Sequence, residues 1–186
     1  GMHNWPTGEL GKVSIKPGTA MAGADFFDIY ISGFGSHAAM PQISKDPIVI
    51  ASSLVAQLQT IVSRNVPPTE PLVLSVTKIH AGAAYNVIPS ECVISGTMRY
   101  FDLEMANMVR NRMKDLTDGM AKSYGVEIDI ENQEVFDVLV NNEDLSHKML
   151  DIASEVVGSE NVALRPNVIA GSEDFADMLK VVPGAY

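Results

Sequence analysis

Two strand–helix–strand patterns follow each other between residues 24 and 131, and this order constrains the fold more than any other feature of the chain. Phe27, Ile29 and Ile31 alternate with more polar residues, which is typical of a half-buried strand. The further predicted elements are a helix after Asp46-Pro47, strands over 72–80 and 92–100, a helix after Asp102 and a strand over 126–130. Two split units of this kind form a ferredoxin-like βαββαβ sandwich with both helices on one face of the sheet. The sequence therefore predicts an α+β fold for residues 24–131.

The helix boundaries in this region carry clear local signals. Asp46 and Asp102 stand where N-cap residues are expected, and Pro67-Pro68 cannot continue a helix. Gly125 suits the left-handed residue that closes a helix. These residues predict where both helices begin and end.

The segments 1–23 and 132–186 do not form a domain by themselves. The first holds one short apolar alternation, Leu10 to Ile15. The second predicts a helix opened by Asn141 and Asn142, a strand over 162–170 and a short helix from Gly171-Ser172. Short pieces on both sides of a complete domain indicate that the domain is inserted into another one. We therefore expect the two flanks to be incomplete pieces of an α/β domain that meet in space.

Charge and composition exclude several classes of function. The formal net charge is −10, so the chain is poorly suited to bind the phosphate backbone of nucleic acid. No apolar run approaches the ~20 residues that span a bilayer, and the first residues do not resemble a signal peptide. The single cysteine, Cys92, cannot form an intrachain disulfide. We expect a cytoplasmic protein with neither nucleic acid nor membrane as partner.

Four side chains are candidates for chemistry, each with a plainer alternative. His37 lies in S-G-F-G-S-H-A-A-M-P, where it could donate to a developing oxyanion or simply bond a nearby carbonyl in a turn. His3, in G-M-H-N-W-P, is either a metal ligand or an exposed loop histidine. Asn86 could contact a substrate or shape a turn, and Arg99 could bind a carboxylate or a surface acid.

Several motifs together resemble one family. They are, in order, G-M-H-N-W-P, K-P-G-T-A-M-A-G-A-D-F-F, G-S-H-A-A-M-P, D-P-I-V, I-H-A-G-A-A-Y-N-V-I-P, G-T-M-R-Y-F-D and G-S-E-D-F. This series is similar to the aminoacylase/hippurate hydrolase branch of the zinc-dependent metallopeptidases. The resemblance implies a catalytic domain with two divalent metal ions, zinc or manganese, and an inserted ferredoxin-like domain that forms a homodimer. It also implies cleavage of the amide bond of small N-acyl amino acids.

The resemblance also implies roles for the four candidates. His3 matches a metal ligand, and His37 matches the histidine that stabilises the oxyanion in the partner's active site. Asn86 and Arg99 match positions near the polar end and the carboxylate of the substrate.

The remaining metal ligands of the family have no counterpart in this chain. The family uses a Cys/His-Asp-Gly-His motif, a Glu-Glu pair and a late histidine, which would lie before Gly1 and after Tyr186. We therefore expect a fragment that binds no metal stably and has no hydrolase activity. The alternative is a non-catalytic ferredoxin-like dimerisation or binding module.

Overall fold

The computed structural model describes all 186 residues and divides them into two compact units. The outer unit comprises Gly1–Ala24 and Phe136–Tyr186, and the inner unit comprises Asp25–Val135. The strands are β1 (Val13–Ile15), β2 (Gly18–Met21), β3 (Gly23–Ser32), β4 (Ser36–His37), β5 (Leu72–Ala81), β6 (Val87–Ile88), β7 (Glu91–Tyr100), β8 (Glu127–Phe136), β9 (Leu139–Asn141) and β10 (Val162–Leu164). The α-helices are α1 (Pro47–Asn65), α2 (Leu103–Tyr124), α3 (Glu143–Val157) and α4 (Phe175–Leu179).

The inner unit is built on a four-stranded sheet with the order β5-β7-β3-β8. The helix α1 connects β3 to β5, and α2 connects β7 to β8, so the predicted order β-α-β-β-α-β is confirmed. Strands β5 and β7 are antiparallel, with Leu72 opposite Tyr100 at one end and Ala81 opposite Cys92 at the other. The predicted α+β class of this region is confirmed, and β5 and β8 are the two edges of its sheet.

Both long helices begin and end where the sequence indicates. The Asp46 side chain accepts a hydrogen bond from the Ile48 amide at 2.9 Å, and Asp102 accepts one from the Met105 amide at 2.9 Å. Gly125 closes α2 with φ of 63°, in the left-handed region that glycine adopts at little cost.

The core of the inner unit lies between one face of the sheet and the helices. Helix α1 packs against α2, β5 and β7. Along β3, Phe27, Ile29 and Ile31 are buried, whereas Phe26 and Tyr30 on the alternate face are partly exposed. Successive residues of a strand point to opposite faces, so the helices cover one face and the other is more open.

The outer unit joins segments from both ends of the chain. Strand β1 pairs in parallel with β10, and β2 pairs antiparallel with β9. An isolated bridge links Met21 to Ile169. The core of this unit gathers around Leu139, which is fully buried.

Several predicted elements of the outer unit were wrong in extent. The predicted strand over 162–170 ends at Leu164, since Pro166 has no amide hydrogen to continue the pairing. The last helix begins at Phe175 rather than at Gly171-Ser172. Asn141 belongs to β9, so Asn142 alone caps α3, where its side chain accepts from the Leu145 amide.

None of the helices has the length and apolar character needed to cross a membrane.

Candidate functional site

Two loops of the inner unit bring His37 and Asn86 together. The short strands β4 and β6 are antiparallel, with Ser36 opposite Ile88 and His37 opposite Val87. One residue beyond this ladder, the Ala38 amide donates to the Asn86 carbonyl oxygen at 2.9 Å. Both His37 and Asn86 are exposed. The two predicted site residues are therefore neighbours on one exposed edge of the inner unit.

Close backbone approach explains the glycines before His37. A Cβ atom on Gly33 would lie 2.2 Å from the Lys45 carbonyl oxygen, and one on Gly35 would lie 2.5 Å from that of Ile88. Gly33 also donates its amide to the Ser90 carbonyl at 2.7 Å. Because no side chain fits at either position, the glycines allow the loop to be held from both sides.

Backbone contacts determine the tautomer of His37. The Ala39 amide lies 3.1 Å from Nδ1 of the ring and can only donate, so Nδ1 accepts. In the neutral imidazole the hydrogen is then on Nε2. The partner of Nδ1 is therefore an amide, whereas the plainer alternative was a turn histidine whose ring bonds a nearby carbonyl. The exposed ring presents a hydrogen-bond donor at Nε2.

Arg99 lies at the other end of the inner sheet. It pairs with Val73 in the ladder between β5 and β7, whereas Cys92 pairs with Ala81 near the histidine loop. At about 3.3 Å per residue, Arg99 is roughly 23 Å along β7 from Cys92. The structure therefore does not bring Arg99 together with His37 and Asn86 within one inner unit.

Near Arg99 is an ionic cluster that the motifs did not indicate. The Asp25 carboxylate is 1% exposed and accepts from Arg110 Nε at 2.7 Å and from the Tyr100 hydroxyl at 3.0 Å. Arg110 Nη1 lies 3.1 Å from a Glu134 carboxylate oxygen. Burial, and secondarily the Asp25 carboxylate, raises the pKa of Tyr100, while the hydrogen bond to Asp25 raises the pKa of Arg110. One signal was present in the sequence, because Asp25 continues the buried alternation of Phe27.

In the outer unit, His3 is set in the opposite tautomer to His37. Its Nδ1 lies 2.5 Å from the Asn4 carbonyl oxygen, which can only accept, so Nδ1 carries the hydrogen. The lone pair on Nε2 remains available to a metal ion. No group of three or more histidine, cysteine or acidic side chains in the chain is arranged to hold a metal. His3 is thus suited to be one ligand, but the chain has no group of three ligands that includes it.

Glu173 of the G-S-E-D-F segment is held by the aromatic residue at the end of the chain. The Tyr186 hydroxyl donates to a Glu173 carboxylate oxygen at 2.5 Å. This bond lowers the pKa of Glu173, and burial and the same contact raise the pKa of Tyr186. The electrostatic interaction with His3 also lowers the pKa of Glu173, so the first and last motifs of the chain influence each other.

The sequence of most of the inner unit matches a known family. Residues 19–125 match the family model described as the peptidase dimerisation domain. The chain belongs to the M20 peptidase family, whose dimerisation domain it carries, and the resemblance inferred from the motifs is confirmed.

Named relatives extend this similarity to the whole chain. An N-acetyl-L-cysteine deacetylase of Bacillus subtilis is 37% identical over 186 residues, which are 100% of this chain and 44% of the relative. The hippurate hydrolase of Campylobacter jejuni is 34% identical over 100% of this chain and 48% of its own length. The chain spans about half the length of the curated relatives it matches.

Solved structures show the same fold. A Staphylococcus aureus protein described as an aminohydrolase superposes with a TM-score of 0.85 at 29% identity, over 97% of this chain and 47% of that one. A Bacillus subtilis protein, described as a dinuclear metal-binding peptidase of the M20 family, superposes with a TM-score of 0.75 at 27% identity. That superposition covers 98% of this chain and 45% of the Bacillus chain.

Proposed function

We propose that this chain is part of a metal-dependent amidohydrolase that cleaves the amide bond of small N-acyl amino acids. The observation that carries the proposal is His37, held by backbone contacts on both sides with an Nε2–H donor exposed. The curated relatives support it, because they align over all 186 residues and not only over the dimerisation match at 19–125. A binding module that functions alone, the alternative, gives no reason for the flanks to be similar as well.

His37 is suited to stabilise negative charge on the substrate. Attack on an amide carbonyl turns its oxygen into an oxyanion, which accepts hydrogen bonds more strongly than the carbonyl did. The Nε2–H of His37 is a donor of this kind, and its ring is held by Ala39 and by the ladder with β6. A donor that is already oriented needs no rearrangement as the charge develops. Asn86, beside it, can contact the polar end of the same substrate.

Arg99 supplies a second and separate contact. Its guanidinium is suited to the carboxylate of an N-acyl amino acid. Because Arg99 lies roughly 23 Å along β7 from Cys92, at the end of the strand nearer the histidine loop, one small substrate cannot touch both Arg99 and His37 of a single inner unit. If both act on one substrate, they belong to different subunits. We therefore assign His37 and Asn86 to the active site of a partner copy.

A surface for this partner is present on α1. Arg64 is the only charged residue in that helix of 19 residues. The exposed side of this helix includes the uncharged residues Val49, Ser52 and Ala56. Uncharged surface of this type, beside the edge strand β5, fits a two-fold contact between identical copies. We propose a homodimer through the inner unit.

The metal ions of such an enzyme are not held by this chain alone. Two metal ions would polarise the amide carbonyl and activate a water. Of the residues present, His3 fits one ligand position, but the chain offers no cluster of three ligands. We assign the ions, zinc or manganese, to the full-length protein. The chain by itself is expected to bind none stably and to have no hydrolase activity, and we place the enzyme in the cytoplasm.

Subunit complementation tests the proposal. In the full-length protein, His3→Ala removes the metal ligand and His37→Ala removes the oxyanion donor, so each homodimer should be inactive. A mixed dimer regains one complete site if His37 acts in the partner's active site. Refolding the two variants together should restore about a quarter of wild-type activity toward an N-acyl amino acid.

His147→Ala, an exposed histidine of α3, is the matched control and should stay active by itself. Activity that does not return on mixing would contradict the shared site. A His37→Ala homodimer with full activity would contradict the role of the imidazole.

A further inference from the structure

The ionic cluster around Asp25 lies at the end of β7 that carries Arg99. Asp25 and Tyr100 are each 1% exposed, and the Arg110 side chain is 16% exposed. A buried carboxylate lowers stability unless it is well paired, so apolar packing would be the simpler way to fill this space. The cluster takes no part in the contacts of His37, and its role lies elsewhere.

Asp25 holds β7 on both sides of Arg99. The Thr97 hydroxyl donates to the Asp25 backbone oxygen at 2.9 Å, and the Tyr100 hydroxyl donates to the Asp25 carboxylate at 3.0 Å. Thr97 precedes Arg99 by two residues and Tyr100 follows it directly. Since neighbouring strand residues point to opposite faces, Asp25 fixes this part of β7 from both faces of the sheet.

Arg110 fixes Asp25 in turn. Its Nε donates to Asp25 at 2.7 Å, its Nη1 lies 3.1 Å from Glu134, and its guanidinium lies 5.6 Å from the centre of the Tyr100 ring. A planar guanidinium that makes all three contacts leaves the carboxylate one orientation. Without Arg110 the carboxylate would be buried without its cation, and the end of β7 would lose its anchor.

We propose that Asp25 and Arg110 are positioning residues for Arg99, which keep its guanidinium directed at the carboxylate of the substrate. The inference rests on the proposed function, in which Arg99 binds that carboxylate. Two parallel hydrogen bonds between a guanidinium and a carboxylate require a defined geometry, so a small displacement of the strand weakens them. The effect is therefore confined to substrates that have a carboxylate.

A pair of substrates tests this. In the full-length protein, kcat/KM is measured for an N-acyl amino acid and for the matching N-acyl amino acid amide, which has a neutral carboxamide instead of the carboxylate. The ratio of the two kcat/KM values is the carboxylate preference. The ratio measured for Arg99→Gln is the reference for a protein that has lost this preference. We expect Arg110→Gln and Asp25→Asn to lower the preference about tenfold, through KM of the acid, while kcat/KM of the amide changes less than about twofold.

Arg112→Gln is the matched control, because Arg112 lies on the same helix and pairs with Asp115 at the exposed surface. It should keep the preference of the wild type. Equal losses for acid and amide, or an unchanged preference in folded Asp25→Asn protein, would overturn the inference.

The test stays decisive if one of these variants does not fold. If Arg110→Gln does not fold, Asp25→Asn decides, since asparagine keeps an acceptor for Tyr100. If neither folds, the carboxylate preference of Tyr100→Phe decides. This variant removes the hydrogen bond from Tyr100 to Asp25 and leaves the ion pair of Asp25 with Arg110 intact, so the preference should still fall. A wild-type protein without carboxylate preference, or a preference that survives Arg99→Gln, contradicts the proposed role of Arg99 and removes the inference with it.

Discussion

At the residue scale, His3 and His37 show how neighbouring backbone groups assign chemistry to identical side chains. A carbonyl acceptor places the hydrogen of His3 on Nδ1, and an amide donor places that of His37 on Nε2. The first ring can offer a lone pair to a cation and the second a donor to an anion. The sequence could suggest both residues, but not their tautomers, because these depend on the direction of nearby peptide groups.

The Asp25 cluster shows a second limit at this scale. Asp25 contacts Tyr100 and Arg110, which are far from it in sequence, so no local motif connects them. Its only trace in the sequence is a carboxylate at a core position of a predicted strand.

Tyr100 gives a prediction for the dependence of stability on pH. Its pKa is raised in the folded protein, so at high pH the unfolded chain releases a proton that the folded one keeps. Stability should therefore fall as pH rises above about 10, by about 1.4 kcal/mol per pH unit for this one proton. Tyr100→Phe should remove that part of the slope, as measured by urea unfolding between about pH 9 and pH 11.

Tyr124→Phe, on the exposed surface of α2, is the control and should follow the wild type. Parallel curves for the wild type and Tyr100→Phe would show that the buried hydroxyl does not titrate on unfolding.

At the scale of elements, local signals explain what the sequence predicts well. Asp46, Asp102 and Gly125 mark helix ends through contacts within a few residues, and the structure confirms all three. The ladder between β4 and β6 has two residues in each strand, which is too short for any periodicity. It depends on close approach between distant loops, and this left the proximity of His37 and Asn86 unpredicted.

The glycines of the histidine loop give a prediction at this scale. Gly35→Ala should place a methyl group against the Ile88 carbonyl and separate β4 from β6. We expect a loss of about 1–3 kcal/mol in the free energy of unfolding, by urea denaturation, because the backbone must shift.

Gly119→Ala is the matched control, since a methyl group on this glycine of α2 meets no atom within 4 Å. It should stabilise the protein by about 0.5–1 kcal/mol through helix propensity. A Gly35→Ala protein as stable as the wild type would mean that the loop has more room than the distances indicate.

At the scale of the whole molecule, the uncharged face of α1 makes the oligomeric state testable. Val49→Glu places one acid from each copy on that face, and like charges across an interface cost several kcal/mol. Light scattering at micromolar concentration should show a dimer for the wild type and a shift to monomer for the variant, with the dissociation constant raised at least about tenfold.

Asn111→Glu adds the same charge to the exposed side of α2 and should leave the dimer intact. A monomeric wild type, or two variants that dimerise equally well, would contradict the proposed interface.

The pairing of the outer strands also sets an order of events during synthesis. Strands β1 and β2 pair with β10 and β9, which follow the whole inner unit in the sequence. Arg110 touches both Asp25 and Glu134, so the two ends of the inner unit lie side by side and the unit can close as soon as Val135 has left the ribosome. Residues 13–21 then remain unpaired and partly apolar until residues 139–164 have been synthesised. A chaperone that samples the growing polypeptide would find its binding segment there.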